Sequence, residues 1–207
     1  MGPPADVVTA FDRLGLDGAQ REALARYVAV LERWRQRINL IGPADAAEIW
    51  RRHVLDSAQA WAHIDDPSRP LLDLGSGAGL PGLILAALGA EDVTLVDSDQ
   101  RKAVFLREAA REIGVKPEVV AMRFDAALAA TRRRYAIVTG RAVAPLARLT
   151  PVLAQALAAD GYALLHKGAS VEKELTEARK TWTMQSAIYP SVTGSGGVLI
   201  KIWDLRA

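Results

Sequence analysis

The order of apolar runs in this sequence predicts an α/β fold. It is expected to be a doubly wound, seven-stranded, mostly parallel sheet that ends in an antiparallel C-terminal hairpin and follows a small helical N-terminal region. Three observations carry that expectation. From Leu71 onward, short apolar or β-branched runs alternate with stretches of helical period. The first run ends in a glycine-rich turn, Asp73-Leu74-Gly75-Ser76-Gly77-Ala78-Gly79-Leu80-Pro81-Gly82. The last two runs are joined only by Ser191-Val192-Thr193-Gly194-Ser195-Gly196, which leaves no room for a crossover helix, so they must pair antiparallel.

Residues 1–66 read as helical. Asp17 is a plausible N-cap, and Leu24, Tyr27, Val28, Leu31, Trp34 and Ile38 follow at helical spacing on one face. Arg26, Arg33, Arg35 and Arg37 fall on the other face. Gly42-Pro43 is expected to end this helix. Asp45 is expected to cap the next, which runs through Ile49, Trp50, His53, Val54 and Trp61. The turn at 65–70 then leads into residues 67–207, expected to form one compact sheet-containing unit. Strands are expected at 70–74, 93–97, 117–121, 135–139 and 161–166, with the hairpin at 184–189 and 197–203. Helices are expected at 80–89, 99–113, 145–158 and 170–181.

Length and composition limit the function classes. At 207 residues, half of them apolar, the chain can bury one full core with a small appendage. No apolar run approaches the ~20 residues needed to span a bilayer. The start, Met1-Gly2-Pro3-Pro4-Ala5-Asp6, lacks the basic and apolar regions of a secretory signal, so a soluble cytoplasmic protein is expected. There is no cysteine, which removes every mechanism built on a thiolate nucleophile. The net charge is only +2, but 20 Arg stand against 6 Lys. Arginine's planar fork suits phosphate and base edges. A GC-rich genome explains the same bias equally well.

A strand running into a glycine turn and then a helix is how open α/β sheets hold nucleotide-like cofactors. The glycines alone do not exclude a dinucleotide, because a fingerprint beginning at Gly77 places Gly82 in its third position. The second piece is Val93-Thr94-Leu95-Val96-Asp97, a strand ending in an acid eighteen residues after Gly79. An acid at that strand tip can accept both ribose hydroxyls of an adenosine. The bland alternative is that Asp97 only caps the following helix, a task open equally to Ser98 or Asp99.

The string Asp73-x-Gly75-x-Gly77-x-Gly79 resembles motif I of the S-adenosylmethionine (SAM) methyltransferases, and the terminal hairpin fits their seven-stranded pattern. Further strings point to one family: Trp34 to Ile41, His53-Val54-Leu55-Asp56-Ser57, Leu80-Pro81-Gly82 and Val96-Asp97-Ser98 with Arg101-Lys102. Phe105-Leu106, Arg141-Ala142-Val143-Ala144 and Lys167-Gly168 complete the set. Over roughly residues 24 to 168 the chain resembles the RsmG family, also called GidB. The resemblance implies the class I SAM-dependent methyltransferase (Rossmann-like) fold. It also implies methylation of N7 of one guanine in 16S ribosomal RNA, with SAM as cofactor. By that resemblance Asp73 faces the methionine end of the cofactor, and Gly75, Gly77, Gly79, Leu80, Asp97, Phe124, Asp125 and Arg141 belong to its site. The family pattern of Arg, any residue, then Glu is Arg123-Phe124-Asp125 here, which shortens a side-chain reach to the adenine amino group and leaves backbone contacts in place.

Guanine N7 carries an in-plane lone pair and no proton, so its methylation needs positioning rather than a general base. Arg141 is expected at the site rim, near the methionine carboxylate or guanine O6, as a positioning catalytic residue. Lys167, at a strand end, is a second candidate, for a phosphate or for the base, with His166 beside it facing the other side. His53 and Asp56 are expected to form a hydrogen-bonded pair fastening the N-terminal helices to the cofactor loop. With three histidines and no third ligand at a suitable spacing, no metal site is expected. For RNA the candidates are Arg33, Arg35, Arg37, Arg51, Arg52 and Arg132-Arg133-Arg134, on the helical N-terminus and the cofactor-side loops. A monomer is expected. The competing readings are a small-molecule SAM methyltransferase, a non-catalytic rRNA-binding assembly protein and an NAD-dependent oxidoreductase.

Overall fold

In the computed structural model, residues 2–42, 48–194 and 196–207 are described. The chain opens with α1 (Ala5–Arg13) and α2 (Gly18–Trp34), followed by a π-helical stretch (Ile49–Leu55), the short α3 (Asp56–Ala58) and a 3-10 turn (Gln59–His63). The sheet-forming part runs β1 (Leu71–Leu74), α4 (Gly82–Leu88), β2 (Val93–Val96), α5 (Gln100–Ile113), β3 (Glu118–Val120) and α6 (Phe124–Ala129). It continues through β4 (Tyr135–Arg141), α7 (Leu146–Ala156), β5 (Leu157–Lys167), α8 (Val171–Ala178), β6 (Thr183–Pro190) and β7 (Val198–Arg206). Asp17 caps α2 as the sequence predicts, within a reciprocal box with Gln20. Asp45 lies outside the described residues.

The seven strands lie in the order β3-β2-β1-β4-β5-β7-β6. The first five are parallel, and β7 inserts antiparallel between β5 and β6, as the missing crossover helix required. The connections reverse direction between β1 and β4, so the carboxyl ends of those two strands form the crevice where such sheets bind ligands. Register places Asp73 beside Thr139 and Leu74 beside Gly140 at that point. On one face of the sheet α1, α2, α4 and α5 pack into a core that includes Phe11, Tyr27, Leu83 and Phe105. On the other, α7 and α8 cover Leu72, Leu74, Val138 and Leu165, with Leu128 of α6 beside them. Among the described residues, no helix is long and apolar enough to cross a membrane.

Three local expectations need correction. Helix α2 ends at Trp34, well before Gly42-Pro43, because the amides of Arg37 and Ile38 both turn back onto the Trp34 carbonyl. Ile38 still packs against the core from this turn. Helix α6 was not anticipated, since Phe124–Ala129 is six residues long and too short to show a periodic apolar face. Strand β5 begins directly at the end of α7, with a bulge that lets Tyr135 pair with Leu157 and Ile137 with Tyr162.

Candidate active site

The glycine turn after β1 is built for close approach. Gly75, Gly77 and Gly79 all have positive φ, at 65°, 57° and 84°. A Cβ at Gly79 would lie 2.7 Å from that of Leu83. At Gly82 it would lie 2.5 Å from the Asp73 Cβ and 2.6 Å from Leu95 Cδ2, so α4 can start against β1 only with glycine there. From the far side, Tyr27 of α2 donates its buried hydroxyl to the Ala78 carbonyl at 2.6 Å and ties the N-terminal helices to the turn.

Asp97 closes the turn from β2. Its Oδ2 accepts from the Gly77 amide and its Oδ1 from the Asp99 amide, both at 2.8 Å, which leaves a lone pair on each oxygen. The cap of α5 is Asp99, whose Oδ1 accepts from Arg101 N, so Asp97 is not consumed in capping. Asp73 is fully buried: Thr139 Oγ1 donates to one oxygen at 2.7 Å, and the other has no partner. Burial lifts its pKa from 3.8 to about 6, against the opposing pull of the Thr139 hydroxyl. An unpaired buried acceptor of this kind at a strand end fits the approach of a positively charged or donating ligand group.

A cavity of about 370 Å³ opens above the turn, lined by Gly75, Ser76, Gly77, Ala78, Leu80, Asp97, Lys102, Arg141 and Ala142, with Leu40, Ile41 and His53 supplied by the N-terminal region. A second cleft of about 240 Å³ adjoins it between Asp56, Arg141, Ala142, His166, Lys167 and the start of β7 at Gly197 and Val198. Arg141 and Ala142 are the wall shared by both. Arg141 donates from Nη2 to the Arg52 carbonyl at 2.7 Å, while its Nε lies 3.5 Å from Asp56 Oδ2. Ala142 holds φ at +53°, a left-handed conformation that costs a non-glycine residue stability and concentrates at functional sites.

The structure thus gathers Asp73, Gly75, Gly77, Gly79, Leu80, Asp97 and Arg141 into one region at the carboxyl ends of β1, β2 and β4. Phe124 and Asp125 follow β3 at the same end of the sheet but do not line the cavity above the turn. Phe124 opens α6 on the opposite face and lines an apolar cavity of about 210 Å³ with Leu74, Val96 and Leu128. The Asp125 carboxylate is exposed and bonds Arg123 and the Ala126 amide. Lys167 is only 9 % exposed, and its ammonium is held by the Ala144 carbonyl and by Glu174 Oε2 at 2.9 Å. That carboxylate also takes the Leu146 amide, so Lys167 fixes the 142–145 loop against α8. His166 faces the other way, as strand alternation predicts, and its Nε2 lies 2.7 Å from the Asp56 carbonyl.

Asp56 fastens a different part of the molecule from the one expected. Its Oδ1 accepts from Ser191 Oγ at 3.0 Å and Gln59 Nε2 at 2.8 Å, tying α3 to the β6–β7 turn, and its Oδ2 faces Arg141. Sequence pattern noted Asp56 but gave no sign of this long-range pairing. The strings containing Ala142 and Leu40-Ile41 carried the family resemblance, but neither the left-handed backbone at Ala142 nor the place of Leu40 and Ile41 in the cavity wall was read from them.

The arginines divide. Arg33, Arg37 and Arg52 are exposed on the N-terminal side. Arg35 pairs with Glu32 at 2.8 Å, and Arg51 makes a two-point contact with Asp6 at 2.6 and 2.7 Å. Arg132, Arg133 and Arg134 immediately precede β4, at the amino ends of the parallel strands and therefore opposite the glycine turn. There Arg133 pairs with Asp92 and stacks 5.1 Å over Tyr135. The expectation that this cluster sits on a cofactor-side loop is corrected accordingly.

Comparison with known proteins agrees with this geometry. Residues 20–199 match the profile of the family described as GidB, rRNA small subunit methyltransferase G. A ribosomal RNA small subunit methyltransferase G of Rhodospirillum centenum is 42 % identical over 205 residues, covering 98 % of this chain and 94 % of that protein. One from Rhodospirillum rubrum is 45 % identical over 185 residues, covering 89 % and 90 %. The fold is also shared with a ribosomal protein L11 methylase of Lactobacillus delbrueckii, with a TM-score of 0.59 at 16 % identity over 71 % of this chain and 75 % of that one. The glycopeptide N-methyltransferase MtfA, complexed with sinefungin, also gives 0.59, at 12 % identity over 73 % and 93 %. The resemblance seen in the motifs holds over nearly the whole length, and the chain belongs to the GidB family of rRNA small subunit methyltransferase G.

Proposed function

We propose that this protein transfers the methyl group of SAM to N7 of a single guanine of 16S rRNA, in the free RNA or in a small-subunit particle. The observation that carries the reading is the pair of adjoining cavities with Arg141 and Ala142 as their common wall. One is furnished for a nucleoside-bearing cofactor: the lone pairs of Asp97 suit the ribose hydroxyls, the glycine turn suits close backbone approach, and Asp73 stands beneath the far end. The other is open to a single acceptor base.

Bound SAM supplies an electrophilic methyl group on a positively charged sulfur. The in-plane lone pair of guanine N7 would accept that methyl group, the carbon–sulfur electron pair staying with sulfur. No proton moves, so the residues of the chain need only align donor and acceptor and exclude water. Arg141 is placed to do this at the boundary between the cavities, held from two sides by the Arg52 carbonyl and Asp56. Lys167 contributes at one remove, by fixing the 142–145 loop that carries Ala142. The exposed Arg33, Arg37 and Arg52 on the N-terminal side suit contacts with the rRNA backbone.

The test is incorporation of labelled methyl from SAM into small-subunit particles of a strain lacking this protein. The reading expects one methyl per particle and none in particles from the parent strain. Incorporation that spreads over many sites, or appears only in low-molecular-weight material, contradicts it.

A further inference from the structure

The cleft beside the cofactor cavity contains two polar side chains whose hydrogen-bonding capacity is only partly used. Arg141 spends Nη2 on the Arg52 carbonyl and points Nε at Asp56, but its buried Nη1 has no partner. His166 spends Nε2 on the Asp56 carbonyl, and its buried Nδ1 has no partner. Both residues line the same cleft, and neither free nitrogen reaches solvent, so bulk water does not satisfy them. A buried donor and a buried acceptor left without partners at one small cleft call for a ligand that carries the opposite pair.

The state of the imidazole follows from its surroundings. The Asp56 carbonyl only accepts, so Nε2 carries the hydrogen and Nδ1 is a lone-pair acceptor in the neutral ring. Burial, assisted by the Arg141 charge, holds the pKa of His166 below the ordinary imidazole value and outweighs the raising influence of Asp56. The ring is therefore neutral at physiological pH, and Nδ1 is free to accept.

We infer that this cleft reads the Watson–Crick edge of the acceptor purine, with Arg141 Nη1 donating to O6 and His166 Nδ1 accepting from N1–H. Guanine presents that acceptor and donor side by side. Adenine presents the reverse, an amino donor at C6 and a bare N1, so it leaves both protein groups unsatisfied. The inference rests on the proposed function and deepens it by assigning base selection to His166 as a specificity-determining residue. Asp56 is the positioning residue for both readers: its backbone carbonyl fixes the tautomer of His166, and its carboxylate steadies Arg141. The same carboxylate holds Ser191 of the β6–β7 turn, which closes that side of the cleft. At about 240 Å³ the cleft is on the scale of a single base. Because its Watson–Crick edge is engaged by the protein, the target base must be unpaired to react. Both nitrogens are buried in the wall of the ligand-free cleft, so the two contacts require Arg141 and His166 to adjust on binding, as side chains of unliganded sites often do.

The test is a cycle of two proteins against two substrates. Small-subunit particles are reconstituted with 16S rRNA carrying either guanine or 2-aminopurine at the methylated position; 2-aminopurine keeps N7 and the exocyclic amine but lacks O6 and N1–H. Methyl transfer is measured for the wild-type protein and for His166→Phe, with SAM binding and melting temperature as controls. His166→Asn, which restores an acceptor, is the rescue. The wild-type protein should prefer guanine by roughly ten- to hundredfold more than His166→Phe does, the scale of a lost bidentate base contact. Intrinsic differences in N7 reactivity cancel in that ratio. Wild-type protein acting on inosine, which retains O6 and N1–H, should stay within about threefold of guanine, and this arm does not depend on any variant folding. Equal preference in wild-type and His166→Phe, or loss of inosine as a substrate, overturns the inference alone. Failure of the wild-type protein to methylate the guanine particle overturns it together with the proposed function.

Discussion

Replacing Asp73 by Asn should stabilise the ligand-free protein while weakening its hold on the cofactor. Asp73 is fully buried at the sheet's switch point, with one oxygen satisfied by Thr139 and the other without a partner. Burial raises its pKa from 3.8 to about 6. Between those values the folded protein holds a proton that the unfolded chain has released, so stability falls as pH rises through that window and levels off above it. At 1.36 kcal/mol per pKa unit, the cost of keeping the carboxylate charged at neutral pH is about 3 kcal/mol. Asparagine is neutral throughout, and it keeps an acceptor for the Thr139 hydroxyl. For a chain of this length, about 2–4 °C accompanies each kcal/mol, so the variant should melt up to about 6–12 °C higher at neutral pH. The advantage should vanish near pH 4, where the wild-type side chain is itself protonated. Thermal melts across this pH range, paired with calorimetric titration of SAM at neutral pH, measure both effects. A variant less stable at every pH, or a gap that ignores pH, would refute the assignment of Asp73 as a strained buried carboxylate. Stability gained at the expense of binding is the signature of a site kept for function.

Other consequences follow from the same contacts. Gly82→Ala places a methyl 2.5 Å from the Asp73 Cβ and should cost about 1–3 kcal/mol, read as a lowered melting temperature; an unchanged melt would contradict the packing. Arg141→Lys keeps the charge but loses the guanidinium fork, so methyl transfer should fall by about tenfold or more in kcat/KM while the fold is retained. Affinity for 16S rRNA should drop steeply between about 50 and 200 mM salt. In filter binding, Arg33→Ala and Arg37→Ala should each make the log–log slope shallower by about one, whereas Arg132→Ala and Arg134→Ala, at the far end of the sheet, should leave it unchanged.

The sheet was legible because each parallel strand announces itself with a short apolar run and each crossover with a helical period. The reversed β7 followed from the lack of space between residues 190 and 198. The cofactor side of the site was legible for a related reason: glycines at positive φ and an acid at a strand tip are local requirements that sequence displays directly. The acceptor side was not. Asp56, Arg141 and His166 are far apart in the chain and meet only through tertiary packing, so no spacing rule links them. Helix α6, which begins at Phe124, gave no periodic signal because it is only six residues long. Lys167 stands where a site lysine was expected, but the decisive partner, Glu174, lies a turn into the next helix.

The central claim is transfer to N7 of one guanine, and the most direct measurement is chemical cleavage at 7-methylguanine. Small-subunit rRNA from a strain lacking this protein would be treated with the purified protein and SAM, alone and beside an Asp73→Ala control, and the strand breaks mapped. The account predicts a single break, absent with the variant. Methyl label in the RNA with no break at 7-methylguanine, or breaks at several guanines, would contradict it.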